Sequence, residues 1–166
     1  MNFDPATTAS FTGHRSYRGE AARQLDLTVV QLAREGVTDF LCGMATGFDM
    51  AAAESVMRMR SLLPDCRIRL TAVVPFDGQA SRYSSADRGR YERILAAADG
   101  VVCLGERYSR ECYSRRNDFL VDNSSVVVAW YDGSREGGTR YTVARARRLG
   151  RRIINLRPAE QLDLEF

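Results

Sequence analysis

Short runs of consecutive apolar residues alternate along this chain with longer stretches in which apolar positions recur every three or four residues. Val126–Trp130 is the most apolar run, and Val101–Leu104 is a shorter one. Uninterrupted runs of this length predict strands buried on both faces, as in a parallel sheet. Ala9–Phe11, Asp39–Cys42 and Ile153–Leu156 predict three more strands. Arg67–Val74 predicts another, alternating at first and then continuously apolar, and it ends at Pro75. Between the strands, Ala21, Leu25, Val29 and Leu32 share one face of a helix over Glu20–Arg34. Phe48–Leu63, rich in Ala and Met, predicts a helix stopped at Pro64. Tyr91, Ile94, Leu95 and Ala98 mark a third helix, Arg115–Asp122 a fourth and Thr139–Leu149 a fifth.

This strand–helix rhythm predicts an α/β fold of three layers, α/β/α, with a mainly parallel sheet of about five to six strands. The length of 166 residues suits one domain. Its core is expected over about residues 9–158, with the first and last eight residues as extensions, and no internal repeat or linker divides it. Ligands in such folds bind outside the carboxyl ends of the strands, where the strand order reverses. The segments that follow the strands are therefore the place to look for chemistry.

Composition narrows that chemistry. The formal net charge is +3, all 24 basic residues are arginines, and the chain contains no lysine. A phosphate-loop lysine, a Schiff base and a lysine general base are excluded. The single histidine, His14, excludes a zinc site built from several histidines. Cys42, Cys66, Cys103 and Cys112 are dispersed, with no CxxC pair, and predict reduced thiols in a cytoplasmic setting rather than a zinc ribbon or redox motif. No metal site is expected. The longest apolar run, Val126–Tyr131, is far short of the roughly 20 residues that cross a bilayer. The first ten residues lack the basic start and apolar core of a signal peptide. Neither a membrane partner nor a secreted location is expected.

The post-strand segments are chemically unusual. Thr12-Gly13-His14-Arg15 places a hydroxyl, an imidazole and a guanidinium beside a glycine, suited to a phosphate or ribose, or else to a helix-capping turn. Gly43-Met44-Ala45-Thr46-Gly47 runs straight into a helix, whose free N–H groups favour an anion. Asp49 is either a first-turn acid or a ribose acceptor, and Glu54 sits among alanines, aimed at the site or at solvent. Pro75-Phe76-Asp77-Gly78-Gln79 offers Phe76 to stack on a base and Gln79 to read its edge, or forms an ordinary turn with Tyr83 packed beyond it. Arg115, Arg116 and Asn117 open a helix where paired guanidinium bonds can hold phosphate. Asp132-Gly133-Ser134 and Gly137-Gly138-Thr139, with Thr142 beyond, lead from the most apolar strand into the last helix and can form an anion-binding nest. The arginines of that helix interleave with Val143, Ala146 and Leu149, a pattern of a solvated face or subunit contact more than of a nucleic-acid track.

Taken together, Phe11–Arg15, Gly43–Asp49 with Ala52-Ala53-Glu54, Val74–Gln79, and Tyr131–Ser134 with Gly137-Gly138-Thr139 resemble the YpsA-like branch of the SLOG superfamily. The resemblance covers about Ala9 to Pro158. It implies a Rossmann-like fold and the sensing or processing of a nucleotide or phosphoribosyl-type ligand. The superfamily includes the LONELY GUY phosphoribohydrolases and the DNA-processing protein DprA. Against the former, Arg116 matches the arginine of the Met-His-x-Arg-Lys motif and Gly138-Thr139 the glycine and threonine of Pro-Gly-Gly-x-Gly-Thr. Tyr141 and Thr142 stand where the catalytic glutamate belongs, so an N-glycosidic hydrolase needs Glu54 or Asp132, beside Arg116, as its catalytic groups. The resemblance thus implies a small nucleotide-like ligand first, a hydrolase second and a DNA-associated protein third, with a homo-oligomer by analogy. No cofactor beyond that nucleotide-derived ligand is expected.

Overall fold

The structure, a computed structural model, describes residues 1–157, so the expected end of the core at Pro158 and the last eight residues lie outside the described residues. Six strands form one sheet: β1 (Thr8–Gly13), β2 (Asp39–Cys42), β3 (Arg69–Val74), β4 (Gly100–Cys103), β5 (Val126–Trp130) and β6 (Arg152–Asn155). Five helices connect them: α1 (Ala22–Arg34), α2 (Phe48–Leu62), α3 (Ser85–Ala97), α4 (Cys112–Asp122) and α5 (Gly138–Arg148). Short 3₁₀ turns at Pro5–Thr7 and Gln79–Arg82 complete the described elements. All neighbouring strands are parallel, in the order β4-β3-β2-β1-β5-β6. This is the Rossmann-like three-layer arrangement that the chain's rhythm and its family resemblance imply.

The strand residues sort by parity, because successive side chains leave opposite faces of a sheet. Phe11, Phe40, Leu70, Val126 and Val128 pack with Leu25, Val29 and Leu32 of α1, Met50 and Val56 of α2 and Ile94 of α3. On the other face Leu41 and Val73 meet Leu120 of α4, Val127 meets Ala146 of α5, and Ala129 meets Val143. Phe11, Phe40 and Phe48 are fully buried, each contributing roughly 1.5–3 kcal/mol of burial. Ser84 starts α3 by accepting from the Asp87 N–H at 3.1 Å, and α2 stops just before Pro64.

Two expectations change. Val101–Leu104 was expected to be buried on both faces, yet β4 is the edge of the sheet and Val101 is 46% exposed. An apolar run reports a strand but does not say how many neighbours it has. The fourth helix begins at Cys112 and not at Arg115, which moves Arg116 into its second turn and buries it.

The position of β1 decides where a ligand fits. From β1 the chain builds outward to β4 on one side, then crosses back to β5 and β6 on the other. The connections after β1 and β5 therefore diverge, and a crevice opens between their carboxyl ends. Gly13 and Trp130, the last residues of the two strands, are partners in register at its floor.

Candidate functional site

A cleft of about 280 Å³ lies at this switch point. Segments far apart in the chain meet in it: Thr12–Arg15 at the end of β1 and just beyond, Ala45 and Asp49 at the entry to α2, Arg116 and Asn117 of α4, and Gly138 and Thr139 at the start of α5.

Arg116 dominates the electrostatics. It is 6% exposed, its Nη1 donates to the Gly43 carbonyl, and its Nε donates to Asn117 Oδ1 at 2.8 Å. Among the described residues it forms no ion pair within 4.0 Å. A buried guanidinium left without a carboxylate is costly, and an anion is what relieves it. Gly43 makes the approach feasible: a Cβ there would stand 2.6 Å from Nη1. Arg15 adds a second, exposed guanidinium to the rim. Across the cleft, the first-turn N–H groups of α5, at Gly138 and Thr139, have no acceptor within the helix. The helix dipole adds partial positive charge at the same place.

One carboxylate opposes this field. Asp49 is 5% exposed, and its Oδ2 accepts from the Ala45 N–H at 3.2 Å. Burial pushes its carboxyl up to about 6, while Arg116, the Ala45 N–H and Arg15 pull it back down. Burial likewise pushes the Cys42 thiol up, away from thiolate chemistry.

The loop from β2 into α2 is held in an unusual shape. Met44 is fully buried at φ 64°, and among the described residues no other non-glycine has positive φ. Tyr83 Oη donates to its carbonyl at 3.0 Å, and Gln79 Nε2 donates to the Gly43 carbonyl at 3.1 Å. Gly47, at φ 79°, lets Arg15 pass, since a Cβ there would lie 2.6 Å from the Arg15 carbonyl oxygen. Backbone held in a sparsely populated region by several partners is characteristic of ligand-binding segments.

His14 ties the β1 loop to the loop after β5. Its Nε2 lies 3.1 Å from the Asp132 N–H and 2.9 Å from Asp132 Oδ1. The neutral ring accepts from the N–H; a protonated ring donates to the carboxylate. Hydrogen bonds from Ser134 hold the Asp132 carboxyl below the usual carboxylate range.

Ten of the predicted site residues thus line one cleft: Thr12, Gly13, His14, Arg15, Ala45, Asp49, Arg116, Asn117, Gly138 and Thr139. Gly43, Met44 and Gly47 shape the loop behind it. Others lie elsewhere. Glu54 pairs with Arg90, whose Nε is 3.0 Å away, in a separate groove of about 560 Å³. Asp132 is exposed and pairs with His14 and, at 3.4 Å, Arg157. Neither predicted catalytic carboxylate lines the switch-point cleft; the acid that does is Asp49. Gln79 donates an amide N–H to the Gly43 carbonyl and accepts from Tyr91 Oη at 3.4 Å, which braces the loop, and it also lines the cleft that holds Phe76. Thr142 donates back to the Gly138 carbonyl at 2.8 Å inside α5. Pro75 is buried at the end of β3, and Gly133, Ser134 and Gly137 shape the loop after β5 without lining the cleft. Phe76 lies in a third cleft, of about 610 Å³. Arg115 is exposed and donates to Ser109 Oγ at 3.2 Å, so Arg116 alone of that pair enters the site. In α5, Arg145 is tied to Asp122 at 2.8 Å and Asp118 at 3.3 Å.

The sequence did not mark Thr46, which lines the clefts of about 560 and 610 Å³, or Tyr108 and Tyr113, which join Phe76 in the latter. The signal it offered was two tyrosines five positions apart, one before α4 and one in its first turn. Among the described residues no group of three or more His, Cys, Asp or Glu side chains could hold a metal, and no helix is long and apolar enough to cross a membrane.

A six-stranded parallel sheet with an arginine-bearing cleft at its switch point defines a Rossmann-like ligand-binding protein. A family model, YpsA, described as the YspA SLOG family, matches residues 21–155, and the chain belongs to that family. It is 33% identical to a UPF0398 protein of Halalkalibacterium halodurans over 115 residues, which cover 68% of this chain and 60% of that one. It is 28% identical to the SPbeta prophage-derived protein YoqJ of Bacillus subtilis over 149 residues, covering 81% of this chain and 85% of that one. Among solved structures it is similar to DprA of Streptococcus pneumoniae, with a TM-score of 0.69 and 20% identity over 94% of this chain and 52% of that one. DprA of Helicobacter pylori, described for its single-stranded DNA binding mode, superposes with a TM-score of 0.63 and 18% identity over 90% of this chain and 64% of that one. At these identities the likeness is one of fold. The chain therefore spans about 60% of the H. halodurans relative and about half of the pneumococcal DprA.

Proposed function

We propose that the protein binds a nucleotide or phosphoribosyl-type ligand at the switch point, with its phosphate between Arg116, Arg15 and the start of α5. The observation that carries this is the buried Arg116 guanidinium, without an ion pair among the described residues, facing a cleft edged by free helix N–H groups. Charge-assisted bonds of this kind contribute roughly 1.5–3 kcal/mol each. The test is calorimetric titration with ribose 5-phosphate and nucleoside monophosphates. Arg116→Lys, which keeps the charge but loses the planar fork, weakens binding by roughly tenfold or more. Unchanged affinity in a folded Arg116→Lys protein contradicts the proposal.

A second reading, association with single-stranded DNA, is favoured by the fold shared with the DprA proteins and by the 560 Å³ groove, which Arg15, Arg18, Arg58 and Arg90 line. Arg58 and Arg90 are already paired, at 2.8 Å with Asp26 and with Glu54, which leaves a weaker field than the count suggests. Salt-dependent retardation of a single strand supports this reading, and no retardation at low salt removes it.

A further inference from the structure

The cleft that holds Phe76 has a composition unlike the anion cleft beside it. Phe76, Tyr108 and Tyr113 form its aromatic wall. Phe76 meets Tyr108 edge-on with ring centroids 5.7 Å apart and Tyr113 at 6.1 Å, while the two tyrosines are 6.4 Å apart. Phe76 comes from the loop after β3, Tyr108 from the loop after β4 and Tyr113 from the first turn of α4. A backbone hydrogen bond joins the loop after β3 to the loop after β4: the Asp77 N–H donates to the Gly105 carbonyl at 2.9 Å. Tyr108 is 66% exposed, so a broad aromatic surface is open to solvent on a segment that is otherwise anchored. Ser81, Arg82 and Ser84 also line this open space of about 610 Å³.

Two contacts connect this space with the anion cleft. Arg15 lines both. The Arg116 guanidinium carbon lies 5.9 Å from the centroid of Tyr113, so the residue proposed to hold phosphate rests against the aromatic wall. Resting on this proposed phosphate site, we infer that Phe76, Tyr108 and Tyr113 form a stacking subsite for the base of a mononucleotide whose phosphate lies against Arg116. A flat ring is the chemistry this wall takes: the exposed Tyr108 offers aromatic surface to solvent, and stacking on an aromatic ring tolerates any base. Ser81, Arg82 and Ser84 then supply polar groups to the edge of the ring.

The experiment compares calorimetric affinities for the four ribonucleoside 5′-monophosphates, their nucleosides and ribose 5-phosphate, using the full chain. At least one monophosphate binds roughly tenfold or more tightly than ribose 5-phosphate. Tyr108→Ala, at an exposed position, abolishes that advantage, and Tyr108→Phe retains it. Equal affinity for every monophosphate and ribose 5-phosphate overturns the stacking subsite and leaves the phosphate site standing. A nucleoside that binds as tightly as its monophosphate, and loses affinity in Tyr108→Ala, supports the stacking subsite and removes the phosphate site. No binding by any of these compounds, or binding by a dodecathymidylate strand alone, overturns the inference.

Discussion

Arg116 and Asp49 share one small cleft, and their burial makes each sensitive to the other's charge. The folded protein holds the Asp49 proton up to about pH 6, whereas the ordinary carboxyl releases it near 3.8. A carboxyl raised in this way contributes stability that is complete below about 3.8 and is lost as pH rises through about 6. Asp49→Asn cannot ionise, and its amide oxygen still accepts from the Ala45 N–H. The melting temperature of Asp49→Asn relative to the unaltered protein should therefore rise between pH 5 and pH 7.5, a span worth on the order of 1 kcal/mol. A difference that stays constant over this range contradicts a buried, raised Asp49. The same substitution removes the negative charge facing the phosphate and should tighten ribose 5-phosphate binding at pH 7.5, measured by calorimetry. Neither effect was legible in the chain. Asp49 follows a glycine-rich turn and looks like a first-turn acid, and only the crossing of α4 over Gly43 shows that an arginine seals it in.

The β2–α2 loop is the most constrained of the connections around the cleft. Gly47→Ala combines a left-handed φ of 79° with a Cβ 2.6 Å from the Arg15 carbonyl oxygen, a backbone atom that cannot swing aside. Chemical denaturation should show a loss on the order of 1–3 kcal/mol. Tyr83→Phe removes the donor to the Met44 carbonyl, and a loss of about 1 kcal/mol by the same method is expected. A loss near zero would mean that the carbonyl of this strained residue is satisfied without the tyrosine. The strands and helices themselves were readable because parallel strands buried between helices leave unbroken apolar runs and the helices leave a stripe. What sequence could not supply was neighbour count, as at β4, where Val101 is exposed. It also could not show partnership across loops. Nothing in the chain marks the reach of the Gln79 amide to the Gly43 carbonyl, and Tyr108 and Tyr113 carry no mark of the phenylalanine they meet from the preceding loop.

The topology turns these local features into one site. Because the order β4-β3-β2-β1-β5-β6 reverses at β1, residues about 100 positions apart, Arg15 and Arg116, line one cleft. That convergence was predictable, since the glycine-rich and arginine-bearing segments each follow a strand and parallel sheets gather such segments at one rim. The choice of carboxylate was not, because Glu54 pairs with Arg90 and Asp132 with His14 and Arg157 without lining the cleft. Family membership and the shared fold of the DprA proteins agree with this architecture while leaving the ligand to be read from the cleft itself. The most direct measurement is a crystal structure of the protein soaked with a nucleoside monophosphate or ribose 5-phosphate at saturating concentration. Phosphate density within hydrogen-bond distance of the Arg116 guanidinium and the N–H groups of Gly138 and Thr139 is the predicted result. An empty cleft, or phosphate bound only in the groove beside Glu54 and Arg90, would contradict it.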